Sequence, residues 1–113
     1  MVISTQAQQQ AEGLSTALAA MAEPHRLLML RQLRRGPRTA GNLARALGIG
    51  PSLASHHLTA LVEAGLVTRR QAGSFVCYTA ETGRVRELHQ RLGVLAGATG
   101  PASDAAARAA DPC

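Results

Sequence analysis

The stretch Gly50–Gly65, GPSLASHHLTALVEAG, is the most informative part of this chain. Pro51 suits the first position of a helix, because its missing N–H would have no partner there, and Gly65 suits a left-handed helix stop. One side of this helix is apolar and the other carries short hydroxyls and an imidazole. The apolar positions are Ala54, Leu58, Leu61 and Val62, and the polar positions are Ser52, Ser55, His56, Thr59 and Glu63. Small donors and acceptors near a helix N-terminus suit the edges of base pairs, so this is a candidate recognition helix, although an ordinary packed helix has a similar pattern.

A shorter helix precedes this stretch. Thr39 is a good N-cap for a helix over residues 40–47, and Gly48 is a suitable stop. Only Gly48, Ile49 and Gly50 separate the two helices. This arrangement is typical of a helix-turn-helix, in which the first helix braces the second against the nucleic-acid backbone. A helical hairpin with no such role has much the same sequence.

A β-hairpin is predicted directly after the second helix. Residues 66–71 and 74–79 are rich in strand-forming side chains, and Ala72-Gly73 offers a turn between them. Arg69 and Arg70 lie on the first strand, where they could meet phosphates beside a groove. The alternative is a charged strand edge that blocks aggregation.

Three further helices flank this central unit. The first covers residues 13–21, with a start within the preceding Gln tract as the alternative; the second begins at Pro24, and the last covers residues 84 to about 96. The second helix has an expected apolar face of Leu27, Leu28, Leu30 and Leu33. The sharp apolar stripe of the last helix suggests a face for a partner. The predicted fold is therefore mainly α with a small β-hairpin before the last helix, and it divides into a flexible arm (1–12), one domain (13–96) and a disordered tail (97–113).

The charge distribution points to a polyanionic partner. The net charge is +5, all twelve basic residues are Arg, and eight of them lie between Arg26 and Arg70 with Glu63 as the only acid. A solvated charged face is the simpler alternative. Two cysteines are too few for a secreted disulfide framework, and the sequence shows neither a signal peptide nor an apolar run of about 20 residues. We expect a cytoplasmic protein without a membrane span.

Five segments, in this order, resemble the ArsR/SmtB family of winged-helix transcriptional repressors. They are AEPHRLLML (22–30), NLARALG (42–48), SHHL (55–58), LVEAGLV (61–67) and the hairpin ending in Tyr78. The resemblance covers roughly residues 14–96. It implies a winged helix-turn-helix that forms a homodimer through its first and last helices. It further implies that two recognition helices enter successive major grooves of a palindromic operator on double-stranded DNA, about 34 Å apart.

The resemblance also assigns roles to individual residues. His57 matches the recurrent His of the family's Ser-x-His-Leu motif. Its place beside the apolar stripe favours a role in bracing the helix or in contacting the DNA backbone over base reading. The alternative is a hydrogen-bonded core histidine. The predicted DNA-binding residues are Ser52, Ser55, His56, His57, Thr59, Arg38, Arg69 and Arg70. The predicted dimer interface consists of Leu14, Leu18, Val85, Leu88, Leu92 and Leu95.

The effector sites of the family are matched less well. Some relatives sense metals through Cys-x-Cys in the third helix, where this chain has TAGNL (39–43) and no thiol. Others use an acid-x-His pair in the last helix, which Glu87 and His89 imitate, but nothing from 93 to 101 supplies the second half. The arsenic-sensing relatives carry adjacent cysteines just beyond the last helix, where this chain has AGAT (96–99).

Two thiols remain as weak candidate ligands for a metal or metalloid effector. Cys77 lies between Val76 and Tyr78 on a predicted strand, and we favour a small buried side chain there over a sensing thiol. Cys113 ends the chain and is a candidate ligand or redox thiol. In the hairpin, Ser74 stands where relatives usually carry Arg, which leaves phosphate contact to Arg69 and Arg70.

The predicted function is that of a DNA-binding transcriptional regulator, a homodimeric repressor released from its operator by a metal or metalloid, a redox signal or a small molecule. The alternative is a protein-interaction module that uses a winged helix without reading DNA. An enzyme is not predicted, because the chain has no recognisable nucleophile arrangement, paired carboxylates or phosphate-binding loop.

Overall fold

The computed structural model describes residues 2–98 as five helices and three short strands. The helices are α1 (Thr5–Met21), α2 (Pro24–Leu33), α3 (Ala40–Leu47), α4 (Pro51–Glu63) and α5 (Thr82–Leu95). The strands are β1 (Arg38–Thr39), β2 (Val67–Ala72) and β3 (Phe75–Ala80). The predicted fold class, mainly helical with a β-hairpin before the last helix, is confirmed.

The turn between α3 and α4 is built as the sequence predicts. The Thr39 hydroxyl caps α3 by accepting the N–H of Asn42 at 3.2 Å. Gly48 ends α3 with a φ of 67°, a left-handed conformation that favours glycine because it has no Cβ. The next N–H, that of Ile49, then donates to the carbonyl of Ala44 at 3.0 Å. This tight stop turns the chain so that only three residues separate the end of α3 from the start of α4.

Gly65 connects the recognition helix to the hairpin in a similar way. Its φ is 73°, and the N–H of Leu66 donates back to the carbonyl of Leu61 at 3.0 Å. Leu66 and Val67 are buried, so β2 begins against the core. The position of the hairpin relative to α4 is therefore set by a glycine stop followed by two core side chains.

The hairpin belongs to a three-stranded antiparallel sheet with the order β1-β3-β2. Ala72 pairs with Phe75, which leaves Gly73 and Ser74 as a two-residue turn. The sequence did not predict β1. It pairs Arg38 with Tyr78 and Thr39 with Cys77, and two residues are too few to show the alternation that marks a strand.

The first helix begins at the Gln tract, the alternative that the sequence left open. Ser4 caps it by accepting the N–H of Ala7 at 3.1 Å, and the helix starts at Thr5 rather than at Gly13. Residues 5–12 of the predicted flexible arm are therefore helical, because a good N-cap precedes a run of helix-forming Gln and Ala. Of the predicted tail, residues 99–113 lie outside the described part of the chain.

The core lies where α2, α3, α4 and α5 meet the base of the hairpin. Its fully buried large side chains are Met29, Leu43, Leu58, Leu61, Leu66, Val67 and Leu88. The apolar face predicted for α2 is partly wrong, because Leu27 and Leu28 are exposed whereas Met29 and Leu33 are buried. Four leucines within seven residues extend too far around a helix of 3.6 residues per turn to share one face.

Candidate DNA-binding surface

The two faces of α4 differ sharply in exposure. Ala54, Leu58 and Leu61 are completely buried and fix the helix to the core. The side chains predicted to contact bases all lie on the exposed face: Ser52, Ser55, His56 and Thr59. The stripe that holds α4 in place therefore leaves a polar stripe free on the opposite side.

The exposed face of α4 can both donate and accept hydrogen bonds. The Thr59 hydroxyl donates to the carbonyl of Ser55 at 2.9 Å, which leaves its oxygen lone pairs free as acceptors. Sequence reasoning did not single out Leu53, which is 41% exposed on this helix. An apolar side chain beside these hydroxyls can contact the methyl group of thymine. Its signal was present in the sequence, since Leu53 lies outside the i, i+4, i+7 apolar stripe.

The N-terminus of α4 adds electrostatic attraction for phosphate. Gly50 is the N-cap and offers no side-chain hydrogen bond, and the first turn contains no acidic residue. The backbone N–H groups of Ser52 and Leu53 therefore have no side-chain cap, and they carry the partial positive charge of the helix end. Such an end is a suitable partner for a DNA phosphate.

The wing, which we define as β2, β3 and their turn, carries its two arginines on opposite faces. Arg69 and Arg70 are both exposed, but neighbouring residues of a strand point to opposite sides of the sheet. Arg69 pairs with Tyr78, which packs against the core, whereas Arg70 pairs with Cys77. The two arginines therefore face opposite sides of the sheet, and their contact with phosphates stays a prediction.

Arg38 is tied more closely to the protein than the wing arginines. Its Nε donates to the carbonyl of Gln32 at 3.4 Å, and its side chain is half-buried. Because Arg38 pairs with Tyr78 and Tyr78 pairs with Arg69, the three side chains form a row across one face of the sheet. The fold thus brings together two arginines that are distant in sequence.

His57 does not lie on the DNA-facing surface. Its side chain is buried, and its Nδ1 accepts a hydrogen bond from Nε of Arg26 at 3.1 Å. Arg26 also donates through Nη1 to the carbonyl of Ala20 at 3.3 Å. These contacts fit the bracing role that the sequence also allowed, and a contact of His57 with DNA stays a prediction.

A carboxylate completes the surroundings of His57. Glu23 caps α2 through Oε2, which accepts the N–H of Arg26 at 3.0 Å, and the same oxygen lies 3.7 Å from Nε2 of His57. Burial lowers the pKa of His57, and the positive charge of Arg26 adds to this, so its pKa lies below the usual value although Glu23 acts in the opposite direction. Burial raises the pKa of Glu23, but the hydrogen bond from Arg26 and the two nearby histidines outweigh it and hold that pKa below its usual value.

Within residues 2–98, one group of side chains has the composition and spacing of a metal site. Glu23, His25 and His57 offer ligand atoms that all lie within 4.8 Å of one another. Sequence reasoning missed this group, because 32 residues separate His57 from His25 and only the packing of α4 beside the start of α2 brings them together. Cys77, one of the two predicted weak candidates, is half-buried and belongs to no such group, and Cys113 lies outside the described residues.

The predicted dimer residues divide into two sets. Leu14 and Leu88 are buried inside the protomer and offer little surface to a second chain, so their place in the interface stays a prediction. Leu18 and Val85 are partly buried and pack against the core. Leu92 and Leu95 are 43% and 61% exposed and border grooves between α1 and α5.

None of the helices within residues 2–98 is both long enough and apolar enough to cross a membrane. The second helix of the helix-turn-helix presents a polar, exposed face, and a β-hairpin that carries arginines follows it. This combination defines a winged helix-turn-helix DNA-binding protein.

Comparison with known proteins assigns this winged helix to a family. The family model described as "Bacterial regulatory protein, arsR family" matches residues 23–69. The transcriptional regulator NmtR of Mycobacterium tuberculosis is 39% identical over 80 residues, which cover 71% of this chain and 67% of that protein. The "Probable mercury resistance operon repressor" of Streptomyces lividans is 34% identical over 89 residues, 79% of this chain and 71% of that protein.

A solved structure agrees with these relatives. The homodimeric winged helix-turn-helix DNA-binding domain of Mb0332 from Mycobacterium bovis has a TM-score of 0.67 and 28% identity, over 86% of this chain and 90% of that one. The chain belongs to the arsR family of bacterial regulatory proteins, and it is a DNA-binding transcriptional regulator. The family consists of regulators rather than enzymes, and the alternative of an interaction module that does not read DNA is not favoured.

Proposed function

We propose that the protein is a homodimeric repressor that binds a palindromic operator through the exposed face of α4 and leaves it in response to a chemical signal. The observation that carries this proposal is the row of exposed polar side chains on α4: Ser52, Ser55, His56 and Thr59. Their spacing of i, i+3, i+4 and i+7 places them on one side of the helix along about 10 Å. This length suits a major groove about 12 Å wide.

The chemistry of these side chains suits base reading. Hydroxyls can donate to or accept from any base edge, and an exposed imidazole does both in its neutral form. The uncapped N-terminus of α4 and the arginines of the wing supply phosphate contacts that fix the position of the helix. The exposed face of α4 would therefore read the bases. The N-terminus of α4 and the arginines of the wing would hold the phosphates.

The DNA-binding part of the proposal is tested by titrating the full chain with the duplex found upstream of its own coding region. A scrambled duplex of equal length and composition is the matched control, and both are measured at several salt concentrations. We expect the upstream duplex to bind at least about 10³-fold more tightly. Equal affinity for both duplexes at every salt concentration would contradict specific binding.

The exposed apolar surface between α1 and α5 supports the homodimer. Leu92, Val94 and Leu95 project from α5 with more than two fifths of each side chain exposed. They border two grooves whose other wall is formed by Ala11 and neighbouring residues of α1. Adjacent exposed apolar side chains of this kind mark an interaction surface, and the related domain from Mycobacterium bovis is homodimeric.

A charge placed on this surface tests the dimer. Leu92→Glu combined with Leu95→Glu should convert the dimer into a monomer. Each subunit would otherwise have to bury two carboxylates that have no opposite charge or hydrogen-bond donor nearby. Leu53→Glu is the matched control, since Leu53 on α4 is 41% exposed and Leu92 is 43% exposed. Light scattering after size exclusion measures the mass. A dimer that survives the double substitution would exclude this interface.

The releasing signal belongs to one of three classes: a metal or metalloid, an oxidant, or a small molecule. The relative from Streptomyces lividans is named for mercury resistance, which supports a metal. Operator release is screened with divalent metals, trivalent arsenicals and oxidants, and Cys77→Ser and Cys113→Ser identify any response that passes through a thiol. A response that both variants keep would exclude the two thiols as the sensing groups.

A further inference from the structure

The corner between the end of α1, the start of α2 and the inner face of α4 holds a group of side chains that DNA binding does not use. Glu23 and His25 lie at the start of α2, and His57 reaches them from α4. Their ligand atoms lie within 4.8 Å of one another. We propose that Glu23, His25 and His57 form a binding site for one divalent transition-metal ion of the zinc, cobalt and nickel class.

The Glu23 carboxylate lies near both imidazole rings, and all three ligand atoms lie within 4.8 Å of one another. Oε1 of Glu23 lies 3.3 Å from Nδ1 of His25, and Oε2 lies 3.7 Å from Nε2 of His57. Metal–ligand bonds of about 2.0–2.1 Å at tetrahedral angles place ligand atoms about 3.4 Å apart. The two distances join the histidines to different oxygens of Glu23, so the three ligand atoms must move closer together when an ion binds. The partly exposed His25 side chain can move toward the other two ligands by rotating about its own bonds.

Two of the three ligands are held in place before any ion arrives. His57 is buried on α4, and Glu23 is fixed as the N-cap of α2 by the N–H of Arg26 at 3.0 Å. The side chains of His25 and Glu23 remain 35% and 32% exposed, whereas that of His57 is only 8% exposed. An ion can therefore enter from the solvent side and keep a water as its fourth ligand, as three-ligand sites do.

The donor atoms decide the class of metal. Two imidazole nitrogens and one carboxylate suit zinc, cobalt and nickel, and the same set recurs in zinc sites with three protein ligands. Calcium and magnesium prefer oxygen ligands alone. Mercury and trivalent arsenic are soft and prefer thiolates, and the group contains none. The site is thus distinct in chemistry from the thiol sites considered for the effector.

Arg26 competes with the ion for His57. Its Nε donates to Nδ1 of His57, so the neutral ring carries its proton on Nε2, the nitrogen that faces Glu23. To bind the ion through Nε2, the ring must carry that proton on Nδ1 instead, and Nδ1 then no longer accepts from Arg26. Arg26 keeps its second contact, from Nη1 to the carbonyl of Ala20. Replacing Arg26 with a neutral side chain should therefore strengthen metal binding.

The test measures metal binding by the 113-residue chain. The protein is first stripped of metal with a chelator, and the sample contains no DNA. Cobalt is titrated while its visible absorption is followed, and zinc is then added in competition. We expect one ion per chain, at least tenfold weaker binding in His25→Gln and in Glu23→Gln, and tighter binding in Arg26→Gln. His25→Gln replaces a partly exposed side chain and is not expected to unfold the protein, which circular dichroism verifies.

Matched control variants test whether other histidine or cysteine side chains of the chain bind the cobalt instead. His56→Gln replaces an exposed histidine next to His57, and His89→Gln replaces an exposed histidine on α5; neither belongs to the group. Cys113→Ser removes the terminal thiol. All three should bind cobalt as the unaltered chain does.

Two results would overturn the proposal. One is the absence of saturable binding up to about 0.1 mM cobalt or zinc. The other is binding that His25→Gln and Glu23→Gln leave unchanged. Because the titration contains no DNA, neither result bears on operator binding, and a failure of operator binding would leave this test intact.

Discussion

The outward and inward faces of α4 have opposite physical roles, and two adjacent histidines show it most clearly. His56 is exposed and has no hydrogen-bond partner among the described residues. His57 is buried, accepts from Arg26 and lies beside Glu23. Successive residues of a helix point about 100° apart, so one step along the chain separates a side chain available to DNA from one that holds the helix in place. Substitutions on the two faces should therefore change different measured quantities.

The largest effect is expected on the inward face. Leu58→Ala leaves a cavity at a completely buried position and should lower the free energy of unfolding by about 2–5 kcal/mol. Leu53→Ala on the outward face is the matched control and should cost less than about 1 kcal/mol. Urea unfolding at a fixed protein concentration measures both. Equal losses would mean that the two faces do not differ in packing.

An intermediate effect is expected on the outward face, in binding rather than in stability. His56→Ala and Ser55→Ala should each weaken specific operator binding by roughly 1–3 kcal/mol, because each removes a contact to a base edge. Unfolding in urea should be unchanged within about 0.5 kcal/mol. Fluorescence anisotropy with the upstream and the scrambled duplex measures the binding. Unaltered operator affinity in both variants would remove these side chains from the base-reading set.

The smallest effect is expected on the wing, where the same contrast between two faces recurs. Because Arg69 and Arg70 point to opposite sides of the sheet, they should not contribute equally to phosphate contact. We expect one of the two single alanine variants to reduce the slope of log K against log salt by about 1, for specific and random DNA alike, and the other to leave it nearly unchanged. Equal reductions in both variants would show that both arginines reach phosphates.

Local patterns predicted much of the fold. Thr39, Gly48, Pro51 and Gly65 end or begin helices where the sequence predicted, because caps and left-handed stops depend on residues close in sequence. The exposed stripe on α4 was also correct. Errors arose where the pattern was too short or too uniform, as for the two-residue strand β1 and the leucine-rich α2, in which apolar residues occupy several faces at once.

Apolar periodicity did not distinguish the buried core from an exposed apolar surface. Leu88 and Leu92 belong to the same stripe of α5, yet Leu88 is completely buried and Leu92 is 43% exposed. Both positions satisfy the same spacing rule, since it reports only that a face is apolar. Which part of that face packs inside the protomer depends on where α1 crosses α5, and this crossing is a property of the assembled fold.

By itself the sequence determined the order of the elements, the helix-turn-helix and the polar face of α4, because these follow from spacing and capping within about twenty residues. Only the tertiary structure decided that His57 turns inward to meet Arg26 and Glu23, that Arg38 lies in one row with Arg69, and that three ligand-bearing side chains converge at one corner. Each of these arrangements includes residues that are 31 or more positions apart in the chain, as Arg26 and His57 are. Packing of separate helices and strands, rather than any local pattern, brings such residues within hydrogen-bonding distance.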